Sequence, residues 1–439
     1  MLQTLYIILN TTKGDPDLKH TQFSTHTPNF IKYLVLVTLS SVFIVFGLIV
    51  DSPIGIYDGL YQIIVSQDIL ITDYFVVGGI SAAFINAGLL MILSILLLAV
   101  LKVDIDGLSL AAVFLMGSFA LFGKNPVNSS FVIAGVFLYA LATKQRLKSY
   151  VHTALLSTCI APMVTEVLFI IDLPLYARLF LSIMVGASFG FLTVPLSAHL
   201  AKVHHGLTLY NIGFTVGILG TIYFSIFRSF GYVSEPRLLF SSGNNHILLP
   251  FLITFLLLMF ILGYILNHNT FLHVNHILSF SCRGEKDFQR LETFGVALMN
   301  IALNGAIATA YVLFVKGPLN GPTIGGILTV AGFGAYGKHF RNILPIFIGV
   351  YLGNLTNISH INDPGILFAA LFGTALAPIT DRYGWFFGMV AGYINSAVVL
   401  NSGVWHGGMN LYNTGFSSGL VATVMAPILE TFFKRREHC

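Results

Sequence analysis

A pattern of glycine and polar residues occurs twice within otherwise apolar sequence, at residues 204–221 and 406–423. The two copies read HHGLTLYNIGFTVGILGT and HGGMNLYNTGFSSGLVAT, and nine of the eighteen aligned positions are identical. A chain that repeats such a pattern is built from two copies of one unit.

The similarity between the halves extends well beyond this motif, since residues 86–138 align with 300–352 without a gap. The identical positions include Asn86/Asn300, Lys102/Lys316, Gly107/Gly321, Gly123-Lys124/Gly337-Lys338 and Asn128/Asn342. Ala161-Pro162 then matches Ala377-Pro378. The repeated unit is therefore close to 200 residues, far longer than the units of solenoid proteins.

The composition predicts a membrane protein, because 56% of the 439 residues are hydrophobic and only 9% are charged. Soluble domains carry about 25% charged residues. Fourteen apolar segments recur, and helix is expected for each because unpaired backbone groups are not tolerated in hydrocarbon. They lie near 30–50, 75–103, 106–123, 128–143, 150–171, 178–200, 204–228, 245–267, 293–316, 321–337, 342–357, 364–380, 384–402 and 405–431.

We therefore predict an all-α polytopic integral membrane protein with two repeats of about seven helical segments, some of them short or re-entrant. Membrane repeat one covers 30–228 and membrane repeat two covers 245–431, joined by a loop at 229–244. A polar tail at 1–29 and a basic tail at 432–439 are both expected in the cytoplasm.

Charge in the loops predicts that the two repeats are inverted. The basic loop of Lys144, Arg146 and Lys148 corresponds to 358–362, which has no Lys or Arg. The basic residues Arg283, Lys286 and Arg290 likewise correspond to 69–76, which has none. Basic loops stay in the cytoplasm, and an odd number of segments per repeat also demands inversion. We expect a multi-pass protein of the cell membrane.

The short segments at 106–123 and 128–143, with their partners at 321–337 and 342–357, are joined by turns that contain Gly-Lys. Either they cross the bilayer tightly or each pair forms a re-entrant hairpin. Broken helices in corresponding places of two inverted halves indicate a binding site.

The motif predicts a polar route if each copy is read as one helix. On that reading one polar stripe groups His204, Thr208, Asn211 and Thr215, and a second groups His406, Asn410, Asn413 and Ser417. The alternative is that these hydroxyls and amides join helices by hydrogen bonds. Tyr210 and Tyr412 are interpreted as packing or interfacial aromatics.

Four further residues are candidates. Lys124 and Lys338 are either lysines that extend to the membrane surface or cations that attract anionic or polar solutes at each mouth. Glu166 and Asp381 follow the paired prolines Pro162 and Pro378. They are candidates for carrying protons or contacting cations, or else are solvated residues at the membrane edge.

The sequence lacks the motifs that would indicate nucleotide binding, metal binding or hydrolytic catalysis. The sequence has no GxxxxGK[ST], no HExxH, no GxSxG and no Cys/His cluster with metal spacing. We therefore predict no cofactor, no metal and no enzymatic activity. The net charge of +4 comes from short basic clusters between apolar runs and does not indicate nucleic-acid binding.

The repeated His-x-Gly-x-x-Leu-Tyr-Asn-x-Gly-Phe pattern, with the Gly-Lys turns and the chain length, resembles a family of bacterial multi-spanning membrane proteins described only as a domain of unknown function. That resemblance implies no activity. The layout is also similar in outline to inverted-repeat channels and transporters such as urea transporters, without a motif match.

The expected function is passage of a small polar solute through the helical bundle, by a secondary transporter or a channel. A membrane-embedded enzyme acting on lipid-linked substrates and a non-transporting partner subunit are the alternatives. The expected partners are the lipid bilayer and the solute. The solute, the coupling ion and any homo-oligomer are left open by the sequence.

Overall fold

The described part of the protein is an all-α membrane bundle, as the sequence predicts. A computed structural model describes residues 27–233, 235, 237–271, 273–279, 287–356 and 359–433. Ten helices in these ranges are long and apolar enough to cross a bilayer. The predicted tails at 1–29 and 432–439 lie almost entirely outside the described residues.

The helices of the first half are α1 (Asn29–Val50), α2 (Pro53–Val65), α3 (Gly79–Val100), α4 (Gly107–Phe119), α5 (Pro126–Ala142), α6 (Leu147–Ile170), α7 (Leu175–Val203) and α8 (Asn211–Ser229). Each of the seven predicted segments coincides with one of them. Helix α2 is additional. The sequence did not indicate it because its 13 residues include two glycines and an aspartate.

The helices of the second half are α9 (Asn245–Leu266), α10 (Val274–Ser279), α11 (Phe294–Phe314), α12 (Gly321–Ala335), α13 (Phe340–Thr356), α14 (Pro364–Tyr383), α15 (Trp385–His406) and α16 (Asn413–Phe432). They correspond to α1–α8 in order. The seven predicted segments of this half each coincide with a helix as well.

The prediction of one helix through each copy of the repeated motif is wrong. Helix α7 ends at Val203 and α8 begins at Asn211, so residues 204–210 form a loop. His205 and Gly206 take positive φ angles of 51° and 68° there, a left-handed conformation that commonly ends helices. The second copy breaks in the same way after His406, and α16 begins at Asn413.

The two halves build their short hairpins with the same contacts. In the first half the Asn86 side chain donates to the carbonyls of Ala120 and Lys124, at 2.7 Å each. In the second half the Asn300 side chain donates to the carbonyls of Gly334 and Lys338, at 2.6 and 2.8 Å. Each asparagine therefore satisfies two backbone carbonyls in the turn that follows the short helix.

Two reciprocal contacts relate the directions of α3 and α11. Asp73, which precedes α3, accepts a 3.2 Å hydrogen bond from the backbone N–H of Gly321, which follows α11. Asp287, which precedes α11, accepts a 3.0 Å hydrogen bond from the N–H of Gly107, which follows α3. Each helix thus begins beside the end of the other, and the two run antiparallel. We call the two ends of the bundle the Asp73 end and the Asp287 end.

The short helices α4 and α12 pack against each other between these ends. The Ser118 hydroxyl of α4 contacts the Thr329 hydroxyl of α12 at 2.7 Å and donates to the carbonyl of Gly325. The carbonyl of Leu121, just after α4, accepts a hydrogen bond from the N–H of Tyr74 at the Asp73 end. The turn after each short helix therefore lies near the start of the other.

Glycines allow α8 and α16 to cross closely near their beginnings. A Cβ atom added at Gly213 would lie 3.1 Å from the Cα of Gly415, and one added at Gly415 would lie 3.1 Å from the Cα of Gly213. This mutual contact brings the first turns of both helices, and the loops before them, together.

Candidate functional site

Tyr210 and Tyr412 form the centre of the candidate site. Each tyrosine is the last residue of its loop, directly before α8 or α16, and their ring centroids are 4.8 Å apart. Tyr210 also packs on Phe333 at 4.8 Å, and Tyr412 packs on Phe119 at 4.7 Å. The sequence alone led to the interpretation of both tyrosines as packing or interfacial aromatics. Their identity in the two copies was the available evidence for a shared role.

Lys338 lies against the first of these tyrosines. Its ammonium donates to the Tyr210 hydroxyl at 2.5 Å and to the Thr374 hydroxyl at 2.7 Å. It also lies 4.6 Å from the centroid of the Tyr210 ring. The side chain is fully buried at 0% exposure, so it does not extend to the membrane surface.

Lys124 occupies the equivalent position in the other half but has different contacts. Its ammonium is 3.7 Å from the sulfur of Met116 and 4.8 Å from the centroid of the Phe119 ring. The equivalent threonine, Thr158, lies 3.3 Å from the same sulfur atom and donates to the carbonyl of Leu155, just as Thr374 donates to that of Leu371. The buried hydroxyl of Tyr412 has no hydrogen-bond partner in the described part of the chain.

The two halves thus hold one Lys–Tyr–Thr group in two arrangements. Lys338, Tyr210 and Thr374 are joined by hydrogen bonds, and we call this the closed group. The equivalent residues Lys124, Tyr412 and Thr158 are not joined to one another, and we call this the open group. Chemically matched residues therefore occupy two different states in one structure.

The histidines of the repeated motif, His204 and His406, contact the first residue of α8 and of α16. The Nε2 atom of His204 is 3.0 Å from the Asn211 Oδ1 atom, and that of His406 is 3.1 Å from the Asn413 Oδ1 atom. The two asparagines each donate their amide N–H to a backbone carbonyl of the preceding helix, that of Ser197 or Val399. His204 and His406 are both buried.

The other residues of the predicted polar stripes form hydrogen bonds with different neighbours. Thr208 and Asn410 accept from the backbone N–H of Tyr210 and Tyr412, at 3.3 and 2.9 Å. Thr215 donates to the carbonyl of Asn211 in its own helix, and Ser417 donates to the Asn395 side chain at 2.8 Å. The eight residues therefore do not form the two continuous helical stripes that the sequence suggested.

Glu166 and Asp381 make their hydrogen bonds away from the two lysines. Glu166 accepts from the Tyr232 hydroxyl at 2.5 Å. Asp381 accepts from the Asn342 amide at 3.0 Å and lies 3.5 Å from His339. Glu166 is fully buried, so it is not a solvated residue at the membrane edge.

Two cavities lie next to the paired asparagines. Cavity one has a volume of about 270 Å³ and is lined by His152, Ser197, Tyr210, Asn211 and Tyr412, among others. Cavity two has a volume of about 480 Å³, and its lining includes Leu70, Phe368, Val399, Gly408 and Asn413. Ser197 and Val399 occupy matching positions, as do Asn211 and Asn413, so the two cavities are equivalent places in the two halves.

The cavities lie towards opposite ends of the bundle. His152 of cavity one contacts the Ser109 hydroxyl at 2.8 Å, in the first turn of α4 at the Asp287 end. In cavity two the N–H of Leu70, which is close in sequence to Asp73, donates to the carbonyl of Gly408. Each cavity therefore has lining residues near a different end of the bundle.

Only cavity one reaches the tyrosine pair. On the other side Phe368 and Phe372 occupy the positions that His152 and Leu156 occupy beside cavity one. The Phe372 ring is 5.6 Å from that of Phe119 and 6.1 Å from that of Tyr412, measured between centroids. Packed aromatic rings therefore separate cavity two from the centre.

A cluster outside the cavities could hold a metal ion. The Nδ1 atoms of His273 and His276 lie 3.0 and 3.6 Å from the two carboxylate oxygens of Glu292. Burial raises the pKa of the Glu292 carboxyl, and the two imidazoles oppose this shift. Two histidines and one carboxylate are ligands that several transition metals accept. The sequence analysis missed this cluster because Glu292 is far from the histidines along the chain.

Comparison with known proteins identifies a family. The model of a family described as "Protein of unknown function (DUF1576)" matches residues 52–229 and 266–431. The first part covers α2–α8 and the second covers α10–α16, so each part falls within one half of the bundle. No curated protein and no solved structure matches the chain.

Proposed function

The chain belongs to the DUF1576 family, whose function is unknown, and we propose that it moves a small polar solute across the membrane by alternating access. The observation that carries the proposal is the pair of equivalent cavities at opposite ends of the bundle, of which only one reaches Tyr210 and Tyr412. This is the arrangement expected of a transporter that is open to one side.

We further infer that the two halves are inverted in the membrane. The antiparallel course of α3 and α11 supports this, and so does the position of the basic loops. Lys148 donates to the carbonyl of Lys102 at 2.6 Å, and Arg290 pairs with Asp106 at 2.9 Å. Both cations lie at the Asp287 end, which the positive-inside rule assigns to the cytoplasm.

On this assignment, cavity one opens to the cytoplasmic side of the cell membrane. Helix α1 begins at the same end, because the Asn29 side chain donates to the carbonyl of Val103. The last helix, α16, ends where Glu430 pairs with His205 beside the end of α7. This course agrees with cytoplasmic termini.

In this proposal, the closed and open Lys–Tyr–Thr groups exchange roles when the protein changes from one access state to the other. In an inverted-repeat transporter, exchanging the conformations of the two repeats converts one access state into the other. The opposite state would therefore hold Lys124, Tyr412 and Thr158 as the closed group and would release Lys338. Cavity two would then reach the tyrosines, and cavity one would be shut.

The paired asparagines are the polar residues that the solute meets first. Asn211 lines cavity one and Asn413 lines cavity two, and His204 and His406 hold them in matching orientations. An enzyme on lipid-linked substrates would need acid and base groups gathered at one place. Glu166 and Asp381 have separate neighbours, which favours transport over that alternative.

The test uses the full-length protein reconstituted in liposomes. The vesicles are mixed with a concentrated solution of urea, glycerol, potassium nitrate or potassium pyruvate, which makes them shrink. Valinomycin is added with the two potassium salts so that potassium can cross the membrane. Re-swelling, which requires entry of the solute, is followed by light scattering. We expect protein-dependent re-swelling with at least one solute. The variants Asn211→Leu and Asn413→Leu should abolish it, whereas Asn401→Leu, at an exposed asparagine, should not. No re-swelling above protein-free vesicles would reject transport.

A further inference from the structure

The structure points to a small monovalent oxyanion as the transported solute, an inference that rests on the proposed transport function. Its basis is the charge balance around the tyrosine pair. Lys124 and Lys338 are both buried. Among the described residues the ion pairs involve other cations, so neither ammonium lies within 4.0 Å of a carboxylate.

A buried ammonium is costly unless its charge is paired and its hydrogen bonds are made. Lys338 meets the second need through two neutral hydroxyl oxygens and an aromatic face. Lys124 meets neither need, since its contacts are a thioether sulfur and the face of Phe119. Sulfur is a weak acceptor, so Lys124 is the cation that most requires an external partner.

The hydrogen-bonding groups near Lys124 also suit an anion. The Tyr412 hydroxyl, which has no partner among the described residues, can donate to an added oxygen. Tyr412 lines cavity one and packs on Phe119, whose ring lies under the Lys124 ammonium. An oxyanion at the tyrosine pair would accept from Tyr412 with one oxygen and neutralise Lys124 with another.

The size and charge of the solute follow from the same residues. Cavity one, at about 270 Å³, admits a molecule of a few heavy atoms. Of the two lysines beside the tyrosine pair, only Lys124 has no oxygen partner among the described residues, so one negative charge suffices. Nitrate and a short monocarboxylate such as pyruvate have this character. When the two halves exchange conformations, Lys338 becomes the cation without an oxygen partner, so the anion meets an equivalent partner in either access state.

The liposome assay described above tests the charge preference directly. With valinomycin present, we expect re-swelling in potassium nitrate or potassium pyruvate to be about tenfold faster than in urea or glycerol. Lys124→Met should reduce anion-driven re-swelling by about tenfold. Lys202→Met, at an exposed lysine near the end of α7, is the matched control and should leave the rate unchanged.

The possible failures are distinguishable. Re-swelling in urea or glycerol but not in the potassium salts would overturn the anion inference and leave transport standing. No re-swelling in any solute would overturn both. The comparison of solutes in the unaltered protein does not depend on whether Lys124→Met folds.

Binding gives a second readout that does not need transport. Nitrate or pyruvate should raise the thermal unfolding temperature of the purified full chain in detergent, and potassium chloride at equal ionic strength should raise it less. Lys124→Met should lose the difference. An equal effect of all salts on the unaltered protein would contradict an oxyanion site.

Discussion

The rings of Tyr210 and Tyr412 lie with their centroids 4.8 Å apart, and they join the two halves of the chain at equivalent positions. Their hydroxyls nevertheless differ. That of Tyr210 accepts from Lys338, whereas that of Tyr412 has no partner among the described residues. The same chemical change at the two tyrosines should therefore have different effects.

Tyr210→Phe should destabilise the protein more than Tyr412→Phe. The first change removes an oxygen from a buried ammonium, and a hydrogen bond to a charged group contributes about 1.5–3 kcal/mol. The second removes a hydroxyl that makes no hydrogen bond in this state, so its thermal unfolding temperature should be nearly unchanged while solute uptake falls. Unfolding in detergent measures the first effect and liposome uptake the second. Equal loss of stability in both variants would contradict the unequal groups.

Gly217→Ala should destabilise the crossing of α8 and α16. A Cβ atom at Gly217 would overlap the ring of Phe416, and overpacking of this kind costs about 1–3 kcal/mol. Gly220→Ala is the matched control in the same helix, because its Cβ would lie 3.3 Å from Ile160 and 3.5 Å from His406. The midpoint of thermal unfolding should fall for the first variant and stay nearly constant for the second.

The helices were predictable because each segment is strongly apolar, and ten of the described helices are also long enough to cross the membrane. Each of the fourteen predicted segments contains a helix, although 204–228 and 405–431 also include the loops before α8 and α16. The local geometry of the motif was not predictable in the same way. Residues such as His204 and Asn211 have helical spacing, yet positive φ angles at His205 and Gly206 end the helix between them. The two side chains still meet, at 3.0 Å, through a loop.

The centre of the site depends on contacts between the halves, which one sequence does not reveal. Lys338 and Tyr210 are 128 residues apart along the chain. The sequence placed the lysines at the two mouths, whereas the structure buries both on either side of the tyrosine pair. The difference between the closed and open groups also could not be predicted, since Lys, Tyr and Thr are present in both copies.

Phe372→Leu should open the barrier between cavity two and Tyr412. Leucine is the residue at the equivalent position, Leu156, which lines cavity one. The change removes ring contacts with Phe119 and Tyr412. A barrier lowered by about 1.4 kcal/mol raises a rate about tenfold, and we expect solute flux in liposomes to increase by about that factor. Phe386→Leu, at an exposed ring of α15, should not change the flux. An unchanged rate in Phe372→Leu would remove this ring from the barrier.

The most direct test of two inverted cavities is to measure from which side of the membrane a reagent reaches each cavity. Ser197→Cys and Val399→Cys place a thiol at matching positions of cavity one and cavity two, in a chain whose three native cysteines are replaced by serine. A small membrane-impermeant thiosulfonate is applied to one side of the membrane at a time. We predict that the thiol at 197 reacts only from the cytoplasmic side and the thiol at 399 only from the opposite side. Reaction of both thiols from the same side would contradict the inverted arrangement on which the proposed function depends.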